Sequence, residues 1–538
     1  MPSPGTLQDG RSQRRPPILL LLAAAAVALA TVLPLFYVLR RAFDSGLNEA
    51  QDAIVRPRTL ELLGNTLSLV VTVTILTLII GIASAFVISR VRLPGGRLWW
   101  VLACLPLAVP SYVAAFALLS VVPTANGFWP TVLVLTLTTA PYVTVPTLAA
   151  LSVGDHSLAA VARTLGHGPV RVFFRVTLPQ ILPASLAGAM LVALYAMADF
   201  GAPAMLRQQT LTVGIYAQYT GSVNRSIAAS MALILVVLAL FVVLIERYFR
   251  RTRGSHTATV AVREPPKLTL SPLHTTMVVA GLAAVFAVSV LAPVAAVVLR
   301  LLEGSRYQSE PGELAQAAVT TTGLGILAAV IATSLALPIS YLAARYRSKL
   351  VAVLESVSFV GHALPGIVFA LAFVFLSLAL FPGAYQGIFM LVACYVVLFL
   401  PKAIGSARSA FVQVSPRLEE TSRTLGKGVW QTWSRVSLRG AAPGIAAGGL
   451  LVMVTVMKEL PATLMLRPIG VDTLATELWG KTSMGAFGAA APAAILLILV
   501  GVIPAWYLAR TAAKMGSESA DNEVESVEIL AESVGAKQ

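Results

Sequence analysis

Three ionisable side chains stand where the sequence otherwise reads as hydrocarbon: Asp199 in LVALYAMADFGAPAML, and Lys458 with Glu459 in LLVMVTVMKELPATLML. Charge inside an apolar segment is expensive and by default marks a solute path. Two carboxylates beside one ammonium could receive a cation; Lys458 could equally pair with a carboxylate in packing. Both chemistries stay open from these residues alone. Other reactive groups form no constellation. His156, His167, His256, His274 and His362 are scattered, and Cys104 and Cys394 sit singly in apolar runs, so neither a CxxC site nor a metal ligand set is expected. Gly480, Lys481 and Thr482 match the end of a P-loop, but the first glycine of that motif would fall at Ala475 and no strand precedes it. No catalytic residue, cofactor or ATP site is expected in this chain.

The elements that position these charges follow from composition. Charged residues make up 12% of the chain, hydrophobic ones 57%, and mean hydropathy is +0.82. An ordinary soluble domain is about 25% charged, so most of this apolar surface must face lipid. Runs long enough to cross a bilayer occur near 18–39, 65–89, 99–122, 130–151, 182–206 and 227–246, and again near 277–299, 320–344, 356–381, 386–407, 444–466 and 485–509. The expected fold is an all-α polytopic membrane protein with about twelve transmembrane helices in two parallel six-span repeats. The first run is long and lacks a clear small-residue cleavage site before Arg40, so it reads as an uncleaved span rather than a signal peptide.

Lys and Arg concentrate in the loops that share a side with the N-terminus, which places both termini in the cytoplasm. The net charge of +15 is then a matter of topology, and nucleic acid is not an expected partner. From a cytoplasmic end near Pro183, Asp199 lies about 24 Å up a helix, near the outer interface, and Glu459 at the same height. The expected organisation is a cytoplasmic N-terminal segment 1–17, a first domain 18–250, a basic linker 251–273, a second domain 274–512, and an acidic cytoplasmic tail 513–538 carrying Glu518, Asp521, Glu523, Glu525, Glu528 and Glu532.

The two halves repeat. LAAVARTLGHGPVRVFFRVTLPQILP at 158–183 aligns without a gap on LEETSRTLGKGVWQTWSRVSLRGAAP at 418–443, with 10 identities in 26. Arg163 meets Arg423, Gly166 meets Gly426, and Gly168 meets Gly428. The same offset carries Pro141 onto Pro401, Asp199 onto Glu459 and Arg207 onto Arg467, while a slightly shorter one pairs Arg90 with Arg345 and Pro110 with Pro365. This best-matched segment is a loop on the basic side. Its pattern predicts two short helices lying at the membrane surface, broken at Gly-x-Gly. Gly440, Gly444 and Gly448 recur at four-residue spacing and predict close helix packing.

The duplicated loop resembles that of permease subunits of binding-protein-dependent ABC importers, whose mark is EAA, three residues, Gly, nine residues, I-x-LP. Gly166 is followed by VTLP at 176–179 but has Ala160 in the glutamate position; Glu420 and Gly426 fit, with Arg439 where proline is expected. ADFGAPAMLR at 198–207, KELPATLMLR at 458–467 and DTLATELW at 472–479 are similar to the fused permeases of ferric-iron importers. The resemblance implies two fused permease domains in a bacterial plasma (inner) membrane, with ATP used by separate cytoplasmic ATP-binding subunits, an extracytoplasmic solute-binding protein, and surrounding membrane lipid as partners. It implies that Arg163, Gly166, Gly168, Glu420, Arg423, Gly426 and Gly428 form ATPase-coupling loops. Asp199, Lys458 and Glu459 would line the path of a ferric ion, thiamine, phosphonate and polyamine being the alternatives within that architecture. An ion-coupled secondary transporter is the rival of another class.

Overall fold

The computed structural model describes residues 16–44, 46–153, 157–221, 225–252, 268–303, 310–503 and 506. Most of the linker, the acidic tail, the first fifteen residues, His156 and His256 lie outside the described residues.

Among the described residues, the regular structure is helical, apart from an isolated bridge between Val91 and Leu268. Nine of the described helices are long and apolar enough to cross a membrane; a bent pair, Leu98–Ala108 with Ser111–Val121, and two shorter apolar helices, Gly366–Leu380 and Phe487–Ile503, accompany them. The chain is an all-α polytopic membrane protein. Lipid-facing stripes are plain on Pro57–Arg90, where Leu67, Val71, Ile75 and Ile79 are all exposed at successive turns.

Two runs expected to be single spans are broken, and at matched prolines. The 99–122 run bends by 85° between Ala108 and Ser111; the 356–381 run divides into Lys349–Ser358, Val360–Ala363 and Gly366–Leu380. A residue before proline is pushed out of the α region, and Val109 and Leu364 are accordingly extended, with ψ of 112° and 144°. The next helix then starts at Ser111 or Gly366.

The described parts of the chain fall into two compact units that interleave the repeats: Met1–Arg56, Ile215–Val236 and Ser309–Trp479 form one, and Pro57–Gly214, Val237–Gln308 and Gly480–Gln538 the other. In the former, which holds the second-repeat core, Pro311–Arg345, Ile388–Gln413 and Leu438–Met457 pack mutually, and the chain's first helix, Ile18–Phe43, lies against Pro311–Arg345, Lys349–Ser358 and Gly366–Leu380. In the first-repeat unit, Pro57–Arg90, Phe128–Val153 and Leu178–Ala198 form the matching trio, and Ala292–Glu303 packs on Ser111–Val121. The expected glycine packing is present in the second-repeat unit. A Cβ on Gly448 would lie 2.5 Å from that of Ser406, and one on Gly444 2.6 Å from that of Ala410, so these positions let Leu438–Met457 approach Ile388–Gln413 closely.

Candidate functional site

The carboxylates singled out in the sequence sit at helix breaks, not inside a continuous fifth span. Leu178–Ala198 stops before Asp199, and a short helix, Gly201–Met205, follows. Leu438–Met457 stops before Lys458, and Pro461–Leu466 follows Glu459. Pro461 has no N–H for the carbonyl of Met457, and begins the new helix, where that donor is not required.

Each carboxylate caps the short helix after it. Asp199 Oδ1 accepts from the Ala202 N–H at 3.0 Å, and Glu459 Oε1 accepts from the Ala462 N–H at 3.3 Å. Each also reaches the proline break of its own unit. Ser111, the first residue after Pro110, donates its hydroxyl to Asp199 Oδ2. At the matching place Gly366 follows Pro365, and Glu459 Oε1 lies only 2.9 Å from where a Cβ on Gly366 would stand. The shorter acid meets a serine and the longer acid meets a glycine, so the same space is filled in both repeats. Each unit thereby gathers two discontinuous helices around one acid, the arrangement by which membrane proteins expose polar groups to a solute.

Lys402 is part of this neighbourhood, although its place within the 386–407 apolar run drew no attention to it. It lies on Ile388–Gln413, donates to Thr455 Oγ1 at 3.1 Å, sits 5.3 Å from the Phe399 ring centroid, and feels the charges of Glu459 and Lys458. The matching residues of the other repeat are Tyr142 and Tyr195, whose rings are 5.8 Å apart. The second-repeat site thus carries two ammonium groups and one carboxylate, whereas the first carries a carboxylate among hydroxyls.

The duplicated loop has one geometry in both copies. Ser157–Thr164 and Pro416–Thr424 end at Gly166 and Gly426, with φ of +80° and +77°. His167 N–H bonds the Ala162 carbonyl and Lys427 N–H that of Ser422, the six-residue closure of a glycine C-cap. Nothing crowds a Cβ at either glycine, so backbone conformation alone requires them. The second loop helix is not a separate surface helix as expected: it runs through a π turn into the span, giving Pro169–Ala198 and Val429–Met457. Leu165 and Val170 in one copy, and Leu425 and Trp430 in the other, hold large apolar side chains at least two-thirds exposed at matching positions.

Arg163, Arg423 and Glu420 are exposed, but the acid that builds the second loop is Glu419, which the motif does not mark. Its side chain and that of Arg345 are each 7% exposed and form an ion pair at 2.8 Å. Ser437 donates to Glu419 Oε1 at 2.8 Å, Tyr341 to Oε2 at 3.3 Å, and Arg345 also reaches the Val414 carbonyl at 2.8 Å. The pairing of Arg90 with Arg345 across the repeats was the sequence signal that this end of the helix matters.

Gly480, Lys481 and Thr482 lie in the last turn of helix Leu474–Ser483, not in a phosphate-cradling loop. His274 bonds Ser271 at 2.6 Å, and no cluster of three His, Cys, Asp or Glu suited to a metal occurs among the described residues.

A family model described as "Binding-protein-dependent transport system inner membrane component" matches the chain twice, over residues 77–254 and 336–516. The Fe(3+)-transport system permease protein FbpB 2 of Haemophilus influenzae is 33% identical over 504 residues, which cover 93% of this chain and 100% of that protein. The molybdate/tungstate transport permease WtpB of Pyrococcus furiosus is 26% identical over 40% of this chain and 88% of its own length. The sulfate transport permease CysW of Escherichia coli is 27% identical over 40% of this chain and 81% of its own. With two matched domains joined in one polypeptide and full-length similarity to a permease, the chain belongs to the family of inner membrane components of binding-protein-dependent transport systems.

Proposed function

We propose that this chain is the permease of a ferric-iron importer, with permease domains 18–250 and 274–512, both termini cytoplasmic, driven by separate ATP-binding subunits and fed by an extracytoplasmic solute-binding protein. The observation that carries the substrate is the similarity to an Fe(3+)-transport permease along that protein's whole length. Asp199 and Glu459, at matched helix breaks, are the groups that would receive the cation; Arg163, Gly166, Gly168, Glu420, Arg423, Gly426 and Gly428, with the exposed apolar residues beside them, form the surfaces on which the ATPase docks. Proteoliposomes holding the chain, its ATPase and its binding protein should accumulate iron only with ATP inside the cytoplasmic compartment. Accumulation driven by an ion gradient without ATP would overturn this reading in favour of a secondary transporter.

A second reading has its own support. Lys402 and Lys458 beside Glu459 favour an oxyanion, the substrate class named for the molybdate/tungstate and sulfate relatives. Competition of iron uptake by molybdate or sulfate in the same vesicles, or their direct uptake, separates the two.

A further inference from the structure

Arg40 and Arg41 close the first span at its end away from the N-terminus, and Arg225 stands just before helix Ser226–Thr252. Though far apart in sequence, all three line one cavity of about 650 Å³, whose described lining belongs wholly to the second-repeat unit. Asp44 is the carboxylate among the described lining residues, 3.8 Å from Arg40 and 3.1 Å from Arg41. The described lining is therefore positive by two charges. Rings hold two of the guanidiniums without neutralising them: Arg41 stands 5.9 Å from the Phe375 ring centroid, and Arg225 5.0 Å from that of Tyr219. Tyr37 and Thr220 add hydroxyls. Apolar surface adjoins the charge directly. Leu378, 39% exposed, lines the cavity, and Leu29, Val32 and Phe36, exposed at helical spacing along Ile18–Phe43, form a stripe that leads to Arg40, four residues beyond Phe36.

We propose that this cavity binds the phosphate headgroup of an anionic phospholipid whose acyl chains lie along the stripe of Leu29, Val32 and Phe36. Three guanidiniums and two hydroxyls offer a phosphodiester charge-assisted hydrogen bonds, and basic recesses between transmembrane helices suit such headgroups. The stripe decides for a lipid over a free anion. An amphiphile fills both the charged cavity and the apolar surface beside it, whereas a free anion fills only the former. The bound headgroup bridges the end of Ile18–Phe43, the start of Ser226–Thr252 and the end of Gly366–Leu380, and the last of these is the helix whose first residue lies against Glu459. The lipid thus braces the helix behind the second-repeat acid. With the N-terminus cytoplasmic, as proposed above, it comes from the outer leaflet; its binding depends neither on which solute is carried nor on how the ATPase docks.

The test titrates the purified full chain, delipidated in detergent, with phosphatidylglycerol or phosphatidylcholine and counts the retained lipid by native mass spectrometry. Wild type should hold one phosphatidylglycerol about tenfold more tightly than phosphatidylcholine, and the double variant Arg40→Gln, Arg225→Gln should lose about that factor, the order expected when charge-assisted bonds are removed. Equal affinity for the two lipids in wild type, or unchanged retention in the double variant, overturns the proposal. Should the double variant not accumulate in the membrane, Asp44→Asn decides, because it keeps the side-chain shape and removes the negative charge that competes with the headgroup: tighter phosphatidylglycerol binding supports the site, and unchanged or weaker binding overturns it. Displacement of the lipid by equimolar inorganic phosphate would make the ligand a free anion. Weaker capture of the solute-binding protein by the double variant, with lipid retention unchanged, would give the arginines to a protein partner. Either of these results also overturns the proposal.

Discussion

Replacing Glu419 by alanine should open the second-repeat unit without touching the apolar packing of its spans. The carboxylate accepts Arg345 Nε at 2.9 Å and Ser437 at 2.8 Å, and both members of the ion pair are 7% exposed. Removing one partner of such a pair strands the other charge in a low-dielectric site, at about 3–5 kcal/mol. Glu419→Gln keeps an acceptor and the side-chain volume but loses the charge-assisted bonds, at about 1.5–3 kcal/mol. The double variant Arg345→Met, Glu419→Leu should recover most of the loss, because apolar replacement of a whole buried pair is often neutral or stabilising. The two buried free thiols report on the units separately, Cys394 on the unit that contains Glu419 and Cys104 on the other. In a Cys104→Ala background, the opening-limited labelling of Cys394 should accelerate by roughly 10²- to 4 × 10³-fold in Glu419→Ala, at 1.4 kcal/mol per factor of ten. Cys104 in a Cys394→Ala background should respond much less. Equal labelling of Glu419→Ala and wild type, or a double variant as labile as the single, would refute the assignment of Glu419 as the partner that neutralises Arg345.

Gly426→Trp forces a bulky residue into φ of +77°, so coupling between ATP hydrolysis and uptake should be lost while membrane abundance stays normal; Gly166→Trp should act similarly but less strongly, and wild-type uptake at normal abundance in Gly426→Trp would exclude a docking role. Neutralising both break carboxylates, Asp199→Asn with Glu459→Gln, should reduce iron uptake per molecule, since the attraction that offsets cation dehydration is removed; normal uptake per molecule with low abundance would instead assign them to packing. Lys481→Ala should leave the purified chain as it was, neither binding nor hydrolysing ATP, and any nucleotide binding abolished by that substitution would contradict the helical placement of Lys481. Gly448→Val should separate Leu438–Met457 from Ile388–Gln413, because its Cβ has no room beside Ser406; a cost of about 1–3 kcal/mol for such overpacking would speed Cys394 labelling, and an unchanged rate would show that the helices move apart freely.

Features set by neighbours a few residues away were legible in the sequence itself. A bilayer demands long apolar helices whatever surrounds them, so the spans, the repeat and the helical class could be read from hydropathy and self-similarity. Gly166 and Gly426 were readable as a chain reversal because the C-cap closes over six consecutive residues. Other features depend on partners distant in sequence. Proline at 110 and 365 shows that a helix can break there, but only packing brought the new helix starts, Ser111 and Gly366, against Asp199 and Glu459. Likewise, Glu419 and Glu420 are adjacent acids on one amphipathic turn; which of them is buried depends on where Arg345, 74 residues earlier, meets the loop helix. Lys402 became part of the site through Thr455 on another helix. Ile18–Phe43 joins the second-repeat core through helix-to-helix contacts across some three hundred residues of chain, because its uniform apolarity fits lipid and several protein surfaces alike, and only the shape of the completed core selects among them.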